Sequence, residues 1–315
     1  MGRLILRRLA ATIPVLFLVT LVVFMLIHLV PGDPVDAMLG ESQDAAARVA
    51  LRAELGLDQP LYIQYVTWFG RLLQGDLGHS VRTHKPVLED VGQRIRPTVE
   101  LAAFAMVLSL AIAIPVGILS ATKRNTPLDN LGTTFSLFGI CMPNFLIALL
   151  LIFVFGVRLR WLPISSFVDP LEDPINGIRS LTLPAITLGL ALSAVVTRTL
   201  RSSLLETLNE DYVRTARAKG LSESAVIRWH ALKNALIPVV TVLGLQFGAL
   251  FGGAVITEYI FALPGVGRLV VDSVFNRDYP LVQGVVLLIA LGFIASNLVV
   301  DIAYGWLDPR IRYGR

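Results

Sequence analysis

Long apolar blocks alternate with shorter polar segments along the whole chain. The blocks cover residues 9–30, 98–120, 131–157, 181–200, 236–259 and 281–304. A helix that crosses a bilayer needs about 20 mostly apolar residues, and every block reaches that length. The pattern therefore predicts an all-α membrane protein with about six transmembrane helices.

The first block follows Arg3, Arg7 and Arg8, as the apolar core of a secretory signal peptide would. It is longer than the core of about 7–15 residues in such peptides, and no cleavage site with small residues follows it. Pro31-Gly-Asp-Pro34 instead marks a stop and a turn. We interpret residues 1–30 as an N-terminal tail and an uncleaved first helix.

Residues 31–97 form the longest polar stretch, with nine acidic residues against seven Lys and Arg. Apolar spacing and terminal glycines predict short amphipathic helices over residues 44–55 and 61–74. Four aromatic residues of the second segment need a surface to bury against (Tyr62, Tyr65, Trp68 and Phe69). We therefore expect a small folded insertion rather than a linker.

The distribution of basic residues predicts the orientation. Six spans place both termini on one side, and that side carries fifteen Lys and Arg, against five in the short opposite loops. Basic residues in short loops favour the cytoplasm, whereas long loops count little. The termini, a loop over 201–235 and the tail 305–315 are thus expected in the cytoplasm. The insertion 31–97 would be extracytoplasmic, and residues 98–304 would form a five-helix core.

The composition makes several classes of function unexpected for this chain. Apolar residues make up 55% of the chain and charged residues 16%, below the roughly 25% charged residues of soluble domains. The net charge of +4 is explained by residues flanking the spans, so we expect no nucleic-acid partner. Cys141 has no partner for a disulfide, and the four histidines lack metal-ligand spacing. No metal, cofactor or catalytic residue is expected.

The loop before the fifth apolar block has the signals of a short helix. Glu210 and Asp211 fall in its first turn and Arg217 and Lys219 in its last, where each complements the helix dipole. Gly220 is placed to cap the C-terminus. Ser222 can then cap a second helix that leads into the next span.

Tyr212, Ala216 and Gly220 recur every four residues, so they are expected to share one face. Small residues there would let another protein approach the backbone, with Tyr212 as an anchor. Three cations would surround the contact: Arg214, Arg217 and Lys219. A basic helix resting on anionic lipid fits the same pattern equally well.

The segment Tyr212-Val-Arg-Thr-Ala-Arg-Ala-Lys-Gly220 resembles the Glu-Ala-Ala-x-x-x-Gly loop of permease subunits of binding-protein-dependent ABC importers. It matches at Ala216 and Gly220, while Arg214 and Thr215 stand where the general pattern has Glu and Ala. This variant is similar to the dipeptide/oligopeptide branch. In that family the loop docks into a groove of the cytoplasmic ATPase. The resemblance therefore implies ATPase coupling through residues 211–226, by Tyr212, Arg214, Thr215, Ala216, Arg217, Lys219 and Gly220.

Further segments resemble the same branch in order along the chain. They include His28-Leu-Val-Pro-Gly-Asp-Pro34, Gly75-Asp-Leu-Gly-His-Ser80 and Leu263-Pro-Gly-Val-Gly-Arg268. The resemblance implies a type I ABC importer fold in the bacterial inner membrane, in contact with lipid. It also implies three kinds of partner: a second homologous permease, two ATP-binding subunits and an extracytoplasmic substrate-binding protein. Dipeptides or short oligopeptides are the expected substrates, with glutathione or a nickel complex as alternatives.

Two other classes of function fit less well. An ion-coupled secondary transporter would predict a deep acidic relay and inverted repeats, and would leave the basic loop unexplained. An intramembrane enzyme would need a nucleophile and a base within the spans, where only Cys141 and His28 are available, on distant helices. The sequence contains no Gly-x-x-x-x-Gly-Lys-[Ser/Thr] motif, so ATP must bind to another subunit and this chain is not expected to be an enzyme.

Two amide side chains lie deep within the spans, Asn144 and Gln246. Polar side chains are costly there and usually face a cavity or a partner. Asn144 and Gln246 are therefore the candidates for lining a pore.

Overall fold

A computed structural model describes residues 2–29, 35, 46, 49, 52–53 and 56–307. Most of these residues are helical, and they contain no strand beyond an isolated bridge between His79 and Pro86. The all-α prediction is confirmed. In chain order the helices are α1 (Gly2–Leu29), α2 (Leu61–Leu73), α3 (Val87–Thr122), α4 (Pro127–Cys141), α5 (Asn144–Leu151), α6 (Pro174–Thr207), α7 (Asp211–Ala218), α8 (Glu223–Ala225), α9 (Leu232–Ile260), α10 (Val266–Phe275) and α11 (Tyr279–Leu307).

Among the described residues, four helical stretches are long and apolar enough to cross a membrane. They are Val87–Thr122, Pro174–Thr207, Glu223–Leu250 and Tyr279–Val299, and each overlaps one predicted block. The third includes π-helical turns over Val226–Ala231 that join α8 to α9. The first block lies on α1, where Ala10–Met25 form an apolar helix among the residues whose side chains are described. At about 1.5 Å per residue, the whole of α1 still exceeds a hydrocarbon core of about 30 Å.

The block at 131–157 is not one continuous helix, which corrects the sequence-based expectation. Helix α4 ends at Cys141, and the helix Asn144–Arg158, formed by α5 and a π-helical extension, leaves it at an angle of 104°. Pro143 causes the break because it has no N–H to donate to the preceding turn. Met142 before it is extended (φ −76°, ψ 125°), as residues preceding proline prefer. Counting this bent pair as one span gives five, so six spans stay a prediction.

The chain divides into two compact units. The first comprises Thr98–Leu263 and Phe293–Arg315. Its core is centred on α6, and the buried side chains include Leu183, Leu188 and Leu200. Asp173 caps α6 by accepting hydrogen bonds from the backbone and side-chain nitrogens of Asn176, and these bonds lower the pKa of its carboxyl.

The second unit comprises Gly2–Pro97 and Pro264–Gly292. Helix α2 forms close to its predicted position, whereas most of the predicted helix 44–55 lies outside the described residues. The loop after α2 is tied to the start of α11 by the buried carboxylate of Asp278. Ser80 Oγ donates to Asp278 Oδ2 over 2.5 Å, and the backbone N–H of Val81 donates to Oδ1 over 3.3 Å.

Candidate functional site

Helix α7 packs its small apolar side against the rest of its own loop. Val213 and Ala216, one turn apart, are buried in a cluster with Val226 and Leu208. Ala216 is only 5% exposed. The expectation that Ala216 shares an outward face with Tyr212 and Gly220 is therefore wrong. Burial of Val213 decides which side of α7 faces inward, and Ala216 lies on that side.

The C-terminus of α7 is closed by Gly220, as its position in the sequence predicts. Gly220 has a φ of +82°, in the left-handed region. Its N–H donates to the carbonyl of Arg217 over 2.9 Å, and the N–H of Leu221 donates to the carbonyl of Ala216 over 3.4 Å. These two bonds form a Schellman cap, which turns the chain sharply towards α8.

Arg217 braces the two short helices of the loop. Its Nη2 and Nε donate to the two carboxylate oxygens of Glu223 over 2.7 and 3.1 Å, and its Nη1 donates to the carbonyl of Leu208 over 3.3 Å. The Glu223 carboxylate raises the pKa of the Arg217 guanidinium. One side chain thus connects the end of α6, the helix α7 and the start of α8. Ser222 begins α8, but its hydroxyl makes no capping hydrogen bond.

The outer side of the loop is basic with isolated large apolar side chains. Arg214 is exposed and pairs only loosely with Asp211, over 3.3 Å. Thr215 and Lys219 are also exposed. The Tyr212 hydroxyl accepts a hydrogen bond from Asn234 Nδ2 over 2.8 Å, which fixes the ring while leaving it partly exposed. Trp229, which sequence reasoning missed as a surface residue, is 72% exposed.

A second ion pair, also missed from the sequence, lies at the base of this region. Arg201 on α6 donates from Nε and Nη2 to the two carboxylate oxygens of the buried Asp129 over 2.6 and 2.9 Å. The backbone N–H of Asn125 donates to the same carboxylate over 3.0 Å. The start of α4 is thereby fixed to the end of α6 that leads into α7. No local pattern links two residues so far apart in sequence.

The two candidate pore residues meet in one cavity of the first unit. Asn144 lies just after the Pro143 break, and Gln246 lies on α9. Both are half-buried and line a cavity of about 330 Å³. The other lining residues are uncharged: Gly139, Ile140, Met142, Leu188, Ala191, Leu192, Val195, Ala249 and Leu250.

Apolar helices of this length, with a folded basic loop between two of them, are typical of a multi-pass membrane protein. Comparison with known families agrees with this description and adds a function. Residues 113–313 match the binding-protein-dependent transport system inner membrane component, and residues 1–102 match the N-terminal region of the same kind of membrane component. The chain belongs to this family. It is the permease subunit of a bacterial ABC importer, and ATP hydrolysis is carried out by separate subunits.

Individual relatives cover the whole chain. A probable peptide ABC transporter permease protein, y4tP of Sinorhizobium fredii, is 42% identical over 99% of this chain and 100% of its own length. The glutathione transport system permease protein GsiC of Escherichia coli K12 is 44% identical over 98% of both chains. These relatives confirm the resemblance to peptide-type permeases.

A solved structure confirms the fold. A chain of the MetNI methionine ABC transporter, in an inward-facing conformation, aligns with a TM-score of 0.59. The alignment covers 71% of this chain and 99% of that chain at 15% identity, so it bears on the fold alone. The fold is that of type I ABC importer permeases, as the sequence predicts.

Proposed function

We propose that this chain forms half of a translocation pore for dipeptides or short oligopeptides. The relatives named for peptide and for glutathione support a peptide class of substrate. Glutathione, itself a tripeptide, is the second candidate. The family description supports a partner that binds substrate outside the membrane. The complete importer in this proposal adds a second homologous permease, two ATP-binding subunits and an extracytoplasmic binding protein.

The loop 211–226 is proposed to dock on the ATP-binding subunits. The observation that supports this proposal is that the loop is stabilised from within. An apolar cluster, a Schellman cap and the Arg217–Glu223 pair hold it together. A loop that is internally braced can pass a displacement to both α6 and α9, since it is joined to each. We place this loop and both termini in the cytoplasm, as the distribution of basic residues favours.

The seven predicted coupling residues divide into two groups in this proposal. Ala216, Arg217 and Gly220 maintain the shape of the loop. The outward group contacts the ATP-binding subunit and consists of Tyr212, Arg214, Thr215 and Lys219, to which we add Trp229 because its side chain is exposed. Tyr, Trp and Arg are the residues most enriched at protein–protein hot spots.

The outward group is tested by reversing charges that do not support the fold. With Arg214→Glu and Lys219→Glu combined, we expect at least about a tenfold loss of co-purifying ATP-binding subunit and a matching loss of uptake, because reversing charges that face a complementary surface costs more than about 1.4 kcal/mol. The matched control is Arg82→Glu, at an exposed arginine of the second unit. Normal co-purification and uptake in the double variant would contradict the docking role.

Asn144 and Gln246 are proposed to contact the passing peptide. Each primary amide offers both a donor and an acceptor, which is what a peptide bond requires, and the surrounding wall is aliphatic. Because no charged side chain lines this cavity, selection by the charge of the substrate would occur elsewhere.

Uptake of labelled dipeptide and labelled glutathione should be measured in cells with Asn144→Leu and Gln246→Leu combined. We expect uptake of the true substrate to fall about thirtyfold, since two hydrogen bonds of about 1 kcal/mol each are lost, or about 2 kcal/mol together. Gln93→Leu, at an exposed amide, is the control. Uptake of glutathione alone by the native importer would select the second candidate, and unchanged uptake in the double variant would remove both amides from the pore.

A further inference from the structure

Helix α2 presents three different faces along its length. One face carries Tyr65 and Trp68, which pack against α1. A second face borders a cavity of about 440 Å³ within the same unit and consists of Gln64, Thr67 and Arg71. The third face is an apolar stripe whose members recur at helical spacing: Tyr62, Val66, Phe69 and Leu73.

The contact with α1 fixes the position of α2 along that helix. The Tyr65 ring lies 6.2 Å from the Phe17 ring and 5.4 Å from the Phe24 ring, centroid to centroid. The hydroxyls of Tyr65 and Thr20 are 3.0 Å apart, at hydrogen-bonding distance. Further along, Nε2 of His28 lies 3.2 Å from Oε1 of Gln64. Helix α2 therefore lies beside the C-terminal half of α1.

The contacts with α1 also indicate how deep α2 lies in the membrane. The apolar block of α1 continues to the last described residue of that helix, Leu29, and Phe24 and Phe17 lie five and twelve residues inside that end, or about 8 and 18 Å along the helix axis. Half of a bilayer's hydrocarbon core measures about 15 Å. The Tyr65 ring thus reaches the level of the acyl chains instead of standing above the membrane.

Three of the four side chains of the apolar stripe are open at the same level, while Phe69 is half-buried and stacks on Tyr65. Tyr62, Val66 and Leu73 are 70%, 66% and 74% exposed. Arg71 is the one charged residue of α2, and it borders the cavity. Helix pairs within membranes pack through small residues, whereas this stripe contains only large ones, which favours lipid over another helix. Interfacial helices bury such a face about 5–10 Å into the boundary of headgroups and acyl chains.

We propose that α2 is an interfacial membrane helix. It lies in the leaflet that contains the C-terminal half of α1, with the stripe Tyr62, Val66, Phe69 and Leu73 against acyl chains and the Gln64–Arg71 face towards the cavity. Part of the polar insertion would thus be a membrane-embedded element. This inference is independent of the substrate and of the coupling loop.

Neighbouring residues on α2 provide the test. Cys141→Ser removes the chain's one cysteine. Val66→Cys and Leu73→Cys then place a bimane label on the stripe, and Thr67→Cys places it on the cavity face, one residue from Val66. The complete importer is reconstituted in phosphatidylcholine and phosphatidylglycerol vesicles, and quenching by acyl-brominated lipid is compared with quenching by aqueous iodide. A thermal unfolding midpoint like that of the unlabelled importer verifies the fold of each variant.

Labels at positions 66 and 73 should be quenched by brominated lipid at least about twofold more than the label at 67, which iodide should quench instead. Equal iodide quenching at 66 and 67 without lipid quenching would overturn the proposal by placing the stripe in water. Protection of 66 and 73 from both quenchers would also overturn it, since another protein would then cover the stripe.

Discussion

Helices α7 and α2 are both short and amphipathic, yet they differ in the side chains that they bury and in those that they expose. Helix α7 packs small apolar residues inward, Val213 and Ala216, and turns its charges outward. Helix α2 packs aromatic rings against α1 and leaves an apolar stripe uncovered. Amphipathic character alone therefore does not indicate what a helix lies against, whereas the chemistry of the exposed side does.

The two helices are also fixed by contacts of different range. The brace of α7 joins Arg217 to Glu223, six residues away, and its cap is formed within the same turn. The position of α2 depends on contacts such as Thr20 with Tyr65, 45 residues apart. We expect α7 to depend on its own loop for shape and α2 to depend on α1.

The largest effect is expected from Ala216→Glu. The carboxylate would enter the buried cluster of Val213, Val226 and Leu208 without a partner, at a cost of several kcal/mol. Backbone amides of residues 211–231 should lose their protection in hydrogen exchange, while those of α2 keep theirs. The matched control is Ala218→Glu, on the exposed side of the same helix. Equal protection in the two variants would mean that the inward side of α7 has been misassigned.

Phe24→Ala is expected to have the next largest effect, and to affect α2 instead of α7. Phe24 is buried against His28, Tyr65 and Trp68, so its removal should cost about 3 kcal/mol and loosen α2 from α1. Amides of residues 61–73 should exchange faster while those of α7 do not change. Phe153→Ala, at a half-exposed ring of the first unit, is the control. If α2 keeps full protection in Phe24→Ala, its attachment does not depend on these rings.

Features governed by local spacing could be predicted from the sequence. The helix over residues 61–74, the helix of the basic loop and its Gly220 cap all follow from periodicity and from residues with special backbone preferences. The depth of Asn144 and Gln246 in their apolar blocks also sufficed to select two residues that share a cavity.

Features governed by distant contacts could not be predicted from the sequence. Asp129 and Arg201 are 72 residues apart, and Ser80 and Asp278 are 198 apart, so neither pair leaves a local pattern. Pro143 is visible in the sequence, but the 104° between the helices beside it depends on what each packs against. The spacing of Tyr212 and Ala216 predicts that they share a face of α7, but it does not predict whether that face is buried.

The smallest effect, and the most informative about docking, is expected at Gly220. Apart from Gly220 and its two chain neighbours, no described residue has an atom within 4 Å of the position that a Cβ would occupy, so the cost of a side chain there is set by the φ of +82°. Gly220→Ala should destabilise the loop by about 1 kcal/mol, and Gly220→Asn by less, because Asn tolerates the left-handed region. Uptake and ATPase co-purification should follow the same order, with Asn better than Ala. A partner that approaches the Gly220 backbone closely would reverse that order, because the Asn side chain is the larger of the two and steric exclusion would then outweigh backbone strain.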